Sequence, residues 1–325
     1  LTQGTAGGDV LGVTANGVAG AVFGFGGADN IIGSALNDTI DGGADNDTID
    51  GGAGDDAIIA GAGDDTVIYD AADVTVDGVD GGADTDTIDA SAFGGLAVID
   101  LTSGADAYIN FENIIGSAQD DALTGDGNAN NIFGGQDNDT INGGGGDDTL
   151  DGDSAADTIN GEAGNDSIDG GTQNDLIDGG ADNDTIDGES GNDTITGGDG
   201  VDVLTGGTGA DTFVYNSSSE AANSATLPIE RIEDFVSGTD VIDLSAASFG
   251  MAGAFVDRGT FVDYATGFAD ADAQIAGTAN EIIFFDDGVN GYLLIDLDND
   301  GTAEDMSIQL TGVLTGGVLG TDFIV

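Results

Sequence analysis

The chain repeats itself every nine residues. From Gly116 to Val214 it divides into eleven consecutive rows of nine with no insertion. The first position is Gly in every row, from Gly116, Gly125 and Gly134 through Gly197 and Gly206. The sixth position is Asp in ten rows: Asp121, Asp139, Asp148, Asp157, Asp166, Asp175, Asp184, Asp193, Asp202 and Asp211, with Asn130 the exception. The eighth is always apolar, as in Leu123, Ile132, Ile141, Ile177, Leu204 and Phe213. An earlier block, Gly24 to Ile68, carries the same pattern in a different phase. Its sixth positions are Asp29, Asp38, Asp47, Asp56 and Asp65, and its eighth are Ile31, Ile40, Ile49, Ile58 and Val67. One further row, Gly81 to Asp89, places Asp86 and Ile88 in the same way.

Nine residues are too few for a helical hairpin and do not fit a heptad. They suit one tight turn and one short strand. Thr-Ile-Asp and Thr-Leu-Asp are strand-forming triplets whose middle side chain faces inward. The six residues before each triplet must turn sharply, and Gly accepts the positive φ this requires. At the fourth position Asp45, Asn128, Asp137 and Asp182 tolerate the same region. Leu36, Ala155 and Gln173 fit it less well, so their turns are expected to be distorted.

Charge decides what else this architecture needs. The chain of 325 residues has 63 Asp plus Glu and two cationic side chains, Arg231 and Arg258, for a net charge of −61. So lopsided a charge ordinarily means disorder. Yet 39% of residues are hydrophobic, and they recur regularly. The fold must therefore draw cations from outside. Nucleic acid is excluded as a partner, and an anionic membrane would be repelled. No apolar run reaches the length of a membrane span. With no Cys there is no disulfide, which leaves metal as the stabilising device. Residues 1–20 show no leader of signal-peptide type and no initiator Met, so the chain is expected to be trimmed or a piece of a longer one.

The rows Gly51-Gly-Ala-Gly-Asp-Asp56-Ala-Ile58-Ile and Gly143-Gly-Gly-Gly-Asp-Asp148-Thr-Leu150-Asp carry a specific resemblance. They are similar to the RTX (haemolysin-type) nonapeptide repeat, G-G-x-G-x-D-x-U-x. The resemblance implies an all-β fold, a parallel β-roll or β-solenoid, here with a C-terminal β-cap. In such a roll two rows make one coil, so equivalent turns on one edge recur every second row. Asp121, Asp139, Asp157, Asp175, Asp193 and Asp211 then line one edge. Asp148, Asp166, Asp184 and Asp202 line the other, starting at Asn130.

Neighbouring strands lie about 4.8 Å apart. Carboxylates stacked that closely repel unless a cation sits between them. Carboxylate and turn carbonyl oxygens in a flexible loop suit Ca²⁺, while Mg²⁺ demands stricter geometry. Zn²⁺ and Cu²⁺ would use His and Cys, which are absent. The resemblance implies the same ion at the same Asp positions. A solvated turn Asp is the ordinary alternative. It does not explain why the sixth position is constrained while the third varies through Ala118, Gln136, Ser154 and Thr172. Fifth-position acids such as Asp55, Asp64 and Asp147 are expected to face solvent. One large apolar side chain per row contributes about 2 kcal/mol, whereas ordering each residue costs about 1 kcal/mol or more. Calcium binding energy must therefore supply folding energy.

The period defines five segments: 1–23, apolar and a candidate assembly edge; 24–68, the first repeat block; 69–115, irregular solenoid coils expected to be wider and poor in calcium; 116–214, the second block; and 215–325, the β-cap with the secretion signal. Strands are expected at Val74–Val79, Leu96–Leu101, Ile109–Ile115, Ile282–Phe285, Tyr292–Ile295 and Met306–Leu310. Arg231-Ile-Glu-Asp-Phe235 and Gly238-Thr-Asp-Val-Ile-Asp-Leu-Ser245 resemble the capping segment of serralysin-like secreted proteins. Asp296, Asp298, Asp300 and Glu304 form a D-x-D-x-D-G-x-x-[DE] calcium loop, for which a plain acidic turn is the alternative. The terminal Asp322-Phe-Ile-Val325 resembles a type I secretion signal, and a final β-strand would look the same.

No active site is expected, because His, Cys and Lys are absent. The reading is a secreted, extracellular or cell-surface calcium-binding structural protein. It would form a homo-oligomer or homopolymer as a filament, surface layer or matrix, with a cell-surface polysaccharide as a candidate partner. Two alternatives stand beside it. One is the C-terminal secretion and folding module of a larger enzyme or toxin. The other is an ice- or surface-binding adhesin, for which Asn165, Asn174, Asn183 and Asn192 at the fifth position are the only array.

Overall fold

The computed structural model describes residues 1–12, 19–69, 78–102, 108–216, 230–244, 255–260, 282–286, 289–295, 306–313 and 323–324. These residues form strands and turns with no helix among them. Two compact units divide the chain, Leu1–Ser154 and Ala155–Val325. Each is a parallel β-roll.

In the first unit successive strands alternate between facing sheets. One sheet runs in the order Thr2–Gln3, Ala21–Phe23, Thr39–Ala44, Ala57–Ala62, Val79–Ala83, Tyr108–Ile109. The other begins Val10–Gly12, Asn30–Ser34, Thr48–Gly52, Thr66–Ile68, Thr87–Asp89 and continues to Thr149–Ser154. Pairing is parallel and in register, with Ile31 beside Ile49, Ile49 beside Val67, and Ile40 beside Ile58. Period-2 geometry turns the eighth position inward and its neighbours out. These five side chains are at most 1% exposed, while Thr39 and Thr48 are exposed.

The irregular segment departs from the one-strand-per-row pattern. Ile88 pairs with Ile114, and an extra strand, Val98–Asp100, starts a third sheet with Ala122–Thr124 and Thr140–Gly145. The expected strand 109–115 is split into Tyr108–Ile109 and Asn113–Ile115, because Asn110 adopts φ 56° between them. Aromatic rings join the core here, with Tyr69, Tyr108 and Phe111 buried. Tyr69 meets Phe93 edge-on at 5.1 Å, and Tyr108 meets Phe111 at 6.2 Å. Of the expected strand 74–79, residues 74–77 lie outside the described residues.

The second unit repeats the design. Ile159, Ile177, Ile195, Phe213 and Ile242 stack in one column, and Ile168, Ile186, Leu204 and Ile232 in another. The β-cap then changes the pairing. Met306–Leu310 joins Glu230–Ile232 in parallel but pairs antiparallel with Gly291–Ile295, which pairs antiparallel with Ile282–Asp286.

Turns take positive φ at the second and fourth positions of a row, as at Gly43 and Asp45. Leu36 turns without positive φ, whereas Ala155 and Gln173 are forced to φ 104° and 79°. A side chain there costs about 1 kcal/mol. Gln173→Gly is therefore expected to stabilise the calcium-loaded protein by about 1 kcal/mol. A denaturant midpoint that stays put or falls would count against this account of the turn.

Candidate metal centre

Each sixth-position Asp immediately precedes its strand, two residues before the buried apolar side chain. Its carboxylate is thereby carried into the stack of turns. Asp29, Asp38, Asp47, Asp56, Asp65, Asp86, Asp121, Asp139, Asp148, Asp157, Asp166, Asp175, Asp184, Asp193, Asp202 and Asp211 are all at most 4% exposed. The structure thus brings every row acid that the sequence singled out into a buried column.

The columns are tied by one repeated hydrogen bond. The Asp29 N–H donates to Asp47 Oδ1 at 2.8 Å, Asp47 N–H to Asp65 Oδ1 at 2.7 Å, and Asp65 N–H to Asp86 Oδ1 at 2.8 Å. The same bond links Asp38 to Asp56, Asp121 to Asp139, and Asn130 to Asp148. In the second unit it links Asp157 to Asp175, Asp175 to Asp193, and Asp193 to Asp211 on one edge. On the other edge it links Asp166 to Asp184 and Asp184 to Asp202. Each such carboxylate spends one oxygen on the coil before it. For Asp29, Asp47, Asp65, Asp86, Asp175, Asp184 and Asp193 the second oxygen, Oδ2, is buried and has no hydrogen-bond partner.

Except in the Asp65 row, which begins with Ala60, that second oxygen faces the bare Cα of the row's first Gly, in most rows beside a carbonyl of the next coil. A Cβ placed on Gly179 would lie 2.5 Å from both Asp184 Oδ2 and the Gly197 carbonyl oxygen. On Gly188 it would lie 2.7 Å from Asp193 Oδ2 and 2.9 Å from the Gly206 carbonyl oxygen. Absence of a side chain thus leaves a cradle walled by carboxylate and carbonyl oxygens. Among the described residues no three acidic side chains converge as a cluster. An ion held here would take carboxylate oxygen from the column and carbonyl oxygens from the turns.

Burial pushes these acids up. Asp47 and Asp211 rise to about 6, Asp86 and Asp175 to about 7, and Asp184 to about 8. Desolvation is the main cause, and like charges along the column add to it. A buried, partnerless carboxylate oxygen is costly without a counter-charge. An all-oxygen donor set in a turn fits a hard cation of high coordination number, which is Ca²⁺. When bound, the ion supplies the positive charge that the chain lacks.

Four column acids escaped the sequence reading: Asp9, Glu112, Glu230 and Asp240. Asp9 N–H donates to Asp29 Oδ1, and Glu112 accepts from Asp86 N–H at 2.8 Å. Glu230 accepts from Asp202 N–H at 2.9 Å, and Asp240 from Asp211 N–H at 3.1 Å. Glu230 is fully buried, and its pKa is raised well above the ordinary range by that burial. The signal available was an acid two residues before a buried apolar side chain, as in Asp9-Val-Leu11, Glu112-Asn-Ile114 and Glu230-Arg-Ile232. The candidate loop Asp296, Asp298, Asp300 and Glu304 lies outside the described residues.

Fifth-position residues build a separate outer ladder. Asn174 Oδ1 accepts from Asn192 N–H at 2.8 Å, and Asn183 Oδ1 from Val201 N–H at 3.0 Å. The Asn array therefore serves the backbone. Asp64 remains exposed and accepts from Thr85 N–H in the same way.

Stacked turns walled by carboxylate and carbonyl oxygens define a calcium-binding parallel β-roll. A family model of the RTX calcium-binding nonapeptide repeat (four copies) matches residues 23–58, 32–67, 48–73, 111–141, 124–159, 142–177, 151–186 and 178–213. Multiple Ca²⁺ ions are its cofactor. Among solved structures the chain is similar to the AlgE6R3 subunit of the Azotobacter vinelandii mannuronan C5-epimerase. That match is 24% identical, covers 62% of this chain and 78% of that chain, and has a TM-score of 0.28. No curated protein matches the chain.

Proposed function

We propose that this is a secreted structural protein that calcium folds outside the cell and that then joins copies of itself into a filament, surface layer or matrix. The observation that carries the reading is the column of buried carboxylates with an open second oxygen. Such a column repels itself in a calcium-poor cytosol and closes in a calcium-rich exterior. The chain would thus stay open for export and fold after it. In this reading it is a scaffold and not a catalyst.

Self-assembly is supported by the edge strands. Among the described residues Thr2–Gln3 and Val10–Gly12 are each paired on one side only. Val10 is 82% exposed. An open parallel edge accepts another strand, and a contact that does not close on itself makes a fibre or sheet. Removing residues 1–23 is expected to leave a calcium-folded monomer that no longer polymerises. Electron micrographs showing the same polymers from the shortened chain would reject the edge.

A further inference from the structure

The rows differ in one respect that their sixth position does not reveal. In some the second-position N–H reaches back and occupies the column acid. Ser34 N–H donates to Asp38 Oδ2 at 2.6 Å, and Ser117 N–H donates to Asp121 Oδ2. Asp126 N–H donates to Asn130 Oδ1 at 2.9 Å, and Thr5 N–H to Asp9 Oδ2 at 2.7 Å. None of Thr5, Ser34, Ser117 and Asp126 has positive φ.

In the other group the second residue sits in the left-handed region. Phe25, Gly43, Gly61, Gly82, Gly171 and Gly180 have φ of 76°, 115°, 127°, 109°, 93° and 109°. Their rows hold Asp29, Asp47, Asp65, Asp86, Asp175 and Asp184, each at most 4% exposed with a partnerless Oδ2. Flipping φ turns the amide away from the carboxylate. The backbone, not side-chain identity, makes the difference, because Phe25 achieves it as Gly43 does.

We infer that the second position of each row sorts the rungs: positive φ opens the acid to a calcium ion, and the alternative conformation seals it with the chain's own N–H. On this reading Asp38 and Asp121 match the repeat by sequence yet are sealed rungs that hold no ion. Asn130 is sealed further, since its amide nitrogen donates to the Phe111 carbonyl at 3.3 Å. Asp86, in the segment expected to be calcium-poor, is an open rung. A Cβ on Gly81 would meet Asp86 Oδ2 at 2.8 Å and the Asn110 carbonyl oxygen closer still. The same cradle therefore exists there, with Glu112 bonded to Asp86 N–H as the next acid in the column.

This deepens the calcium reading and rests on it. The test is calcium counting by equilibrium dialysis on the full chain at saturating Ca²⁺, with far-ultraviolet circular dichroism to confirm folding. Asp47→Asn and Asp86→Asn should each bind about one ion fewer than the parent. Asp38→Asn and Asp121→Asn should bind as many as the parent. Loss of an ion from either sealed-rung variant, or an unchanged count in Asp86→Asn, would overturn the sorting rule. Should Asp86→Asn fail to fold, Glu112→Gln decides the same site, and an unchanged count there counts against it. Should one sealed-rung variant fail to fold, the other decides. A parent chain that bound no calcium would instead sink the reading of the whole protein.

Discussion

Chelating calcium at about pH 8 is expected to abolish the β signal of this protein almost completely, and returning Ca²⁺ to restore it. The metal-free chain should also recover β structure on acidification to about pH 5. The sign follows from the buried acids. Their folded values lie above the unfolded value of 3.8, at about 6 for Asp47, about 7 for Asp86 and Asp175, and about 8 for Asp184. Raised acids bind protons more tightly when folded. Their contribution to metal-free stability is present in full below 3.8 and is lost as pH rises from there to about 8. Calcium reverses the dependence, because it binds the ionised form and protons compete with it. Circular dichroism across pH 4–9, with chelator and with millimolar Ca²⁺, should give two curves that cross. A full β spectrum at pH 8 in chelator would defeat the account, as would a metal-free fold indifferent to pH.

The second large effect falls on a residue with no side chain. Gly179→Ala would place a methyl 2.5 Å from both Asp184 Oδ2 and the Gly197 carbonyl oxygen. Neither can move away cheaply, because the carbonyl belongs to the backbone of the next coil and the acid is tied to Asp166 N–H. The coils must part or shift, at a cost of about 1–3 kcal/mol. This approaches the loss expected for Ile177→Ala, about 2–5 kcal/mol. The two should separate on calcium affinity: Gly179→Ala fills the ion cradle and weakens binding sharply, whereas Ile177→Ala acts mainly through the core. Urea titrations at fixed Ca²⁺ and direct calcium titrations distinguish them. A change in stability below about 0.5 kcal/mol for Gly179→Ala would remove the cradle from the argument.

Much of this was legible because the period is unbroken over the blocks. Ile31, Ile40 and Ile177 read as core, and Asp47 and Asp184 as column acids, directly from their spacing. Where the spacing lapses, the reading lapsed with it. Asp9, Glu112, Glu230 and Asp240 continue the columns, but the interval to the neighbouring acid on the same edge has stretched beyond eighteen residues, and only the acid-x-apolar triplet survives. The lapse of the period announced a departure over residues 69–115, but not the contacts inside it: Tyr69, Phe93, Tyr108 and Phe111 are spread over more than forty residues and meet only in the fold. Backbone conformation was least legible of all. Phe25 and Ser34 both replace a second-position Gly, yet only Phe25 takes positive φ. Both face an Asp carboxylate, and only the backbone conformation distinguishes them.

In-register stacking has an evolutionary corollary. A duplicated stretch of eighteen residues returns the chain to the same edge, with Ile again beside Ile and Asp again bonded to the Asp before it. Unequal recombination can therefore lengthen or shorten such a protein by whole coils while every junction stays compatible. A duplication of nine would keep the hydrophobic column but exchange the two edges for everything downstream. Natural length variants of this protein should accordingly differ by even numbers of rows.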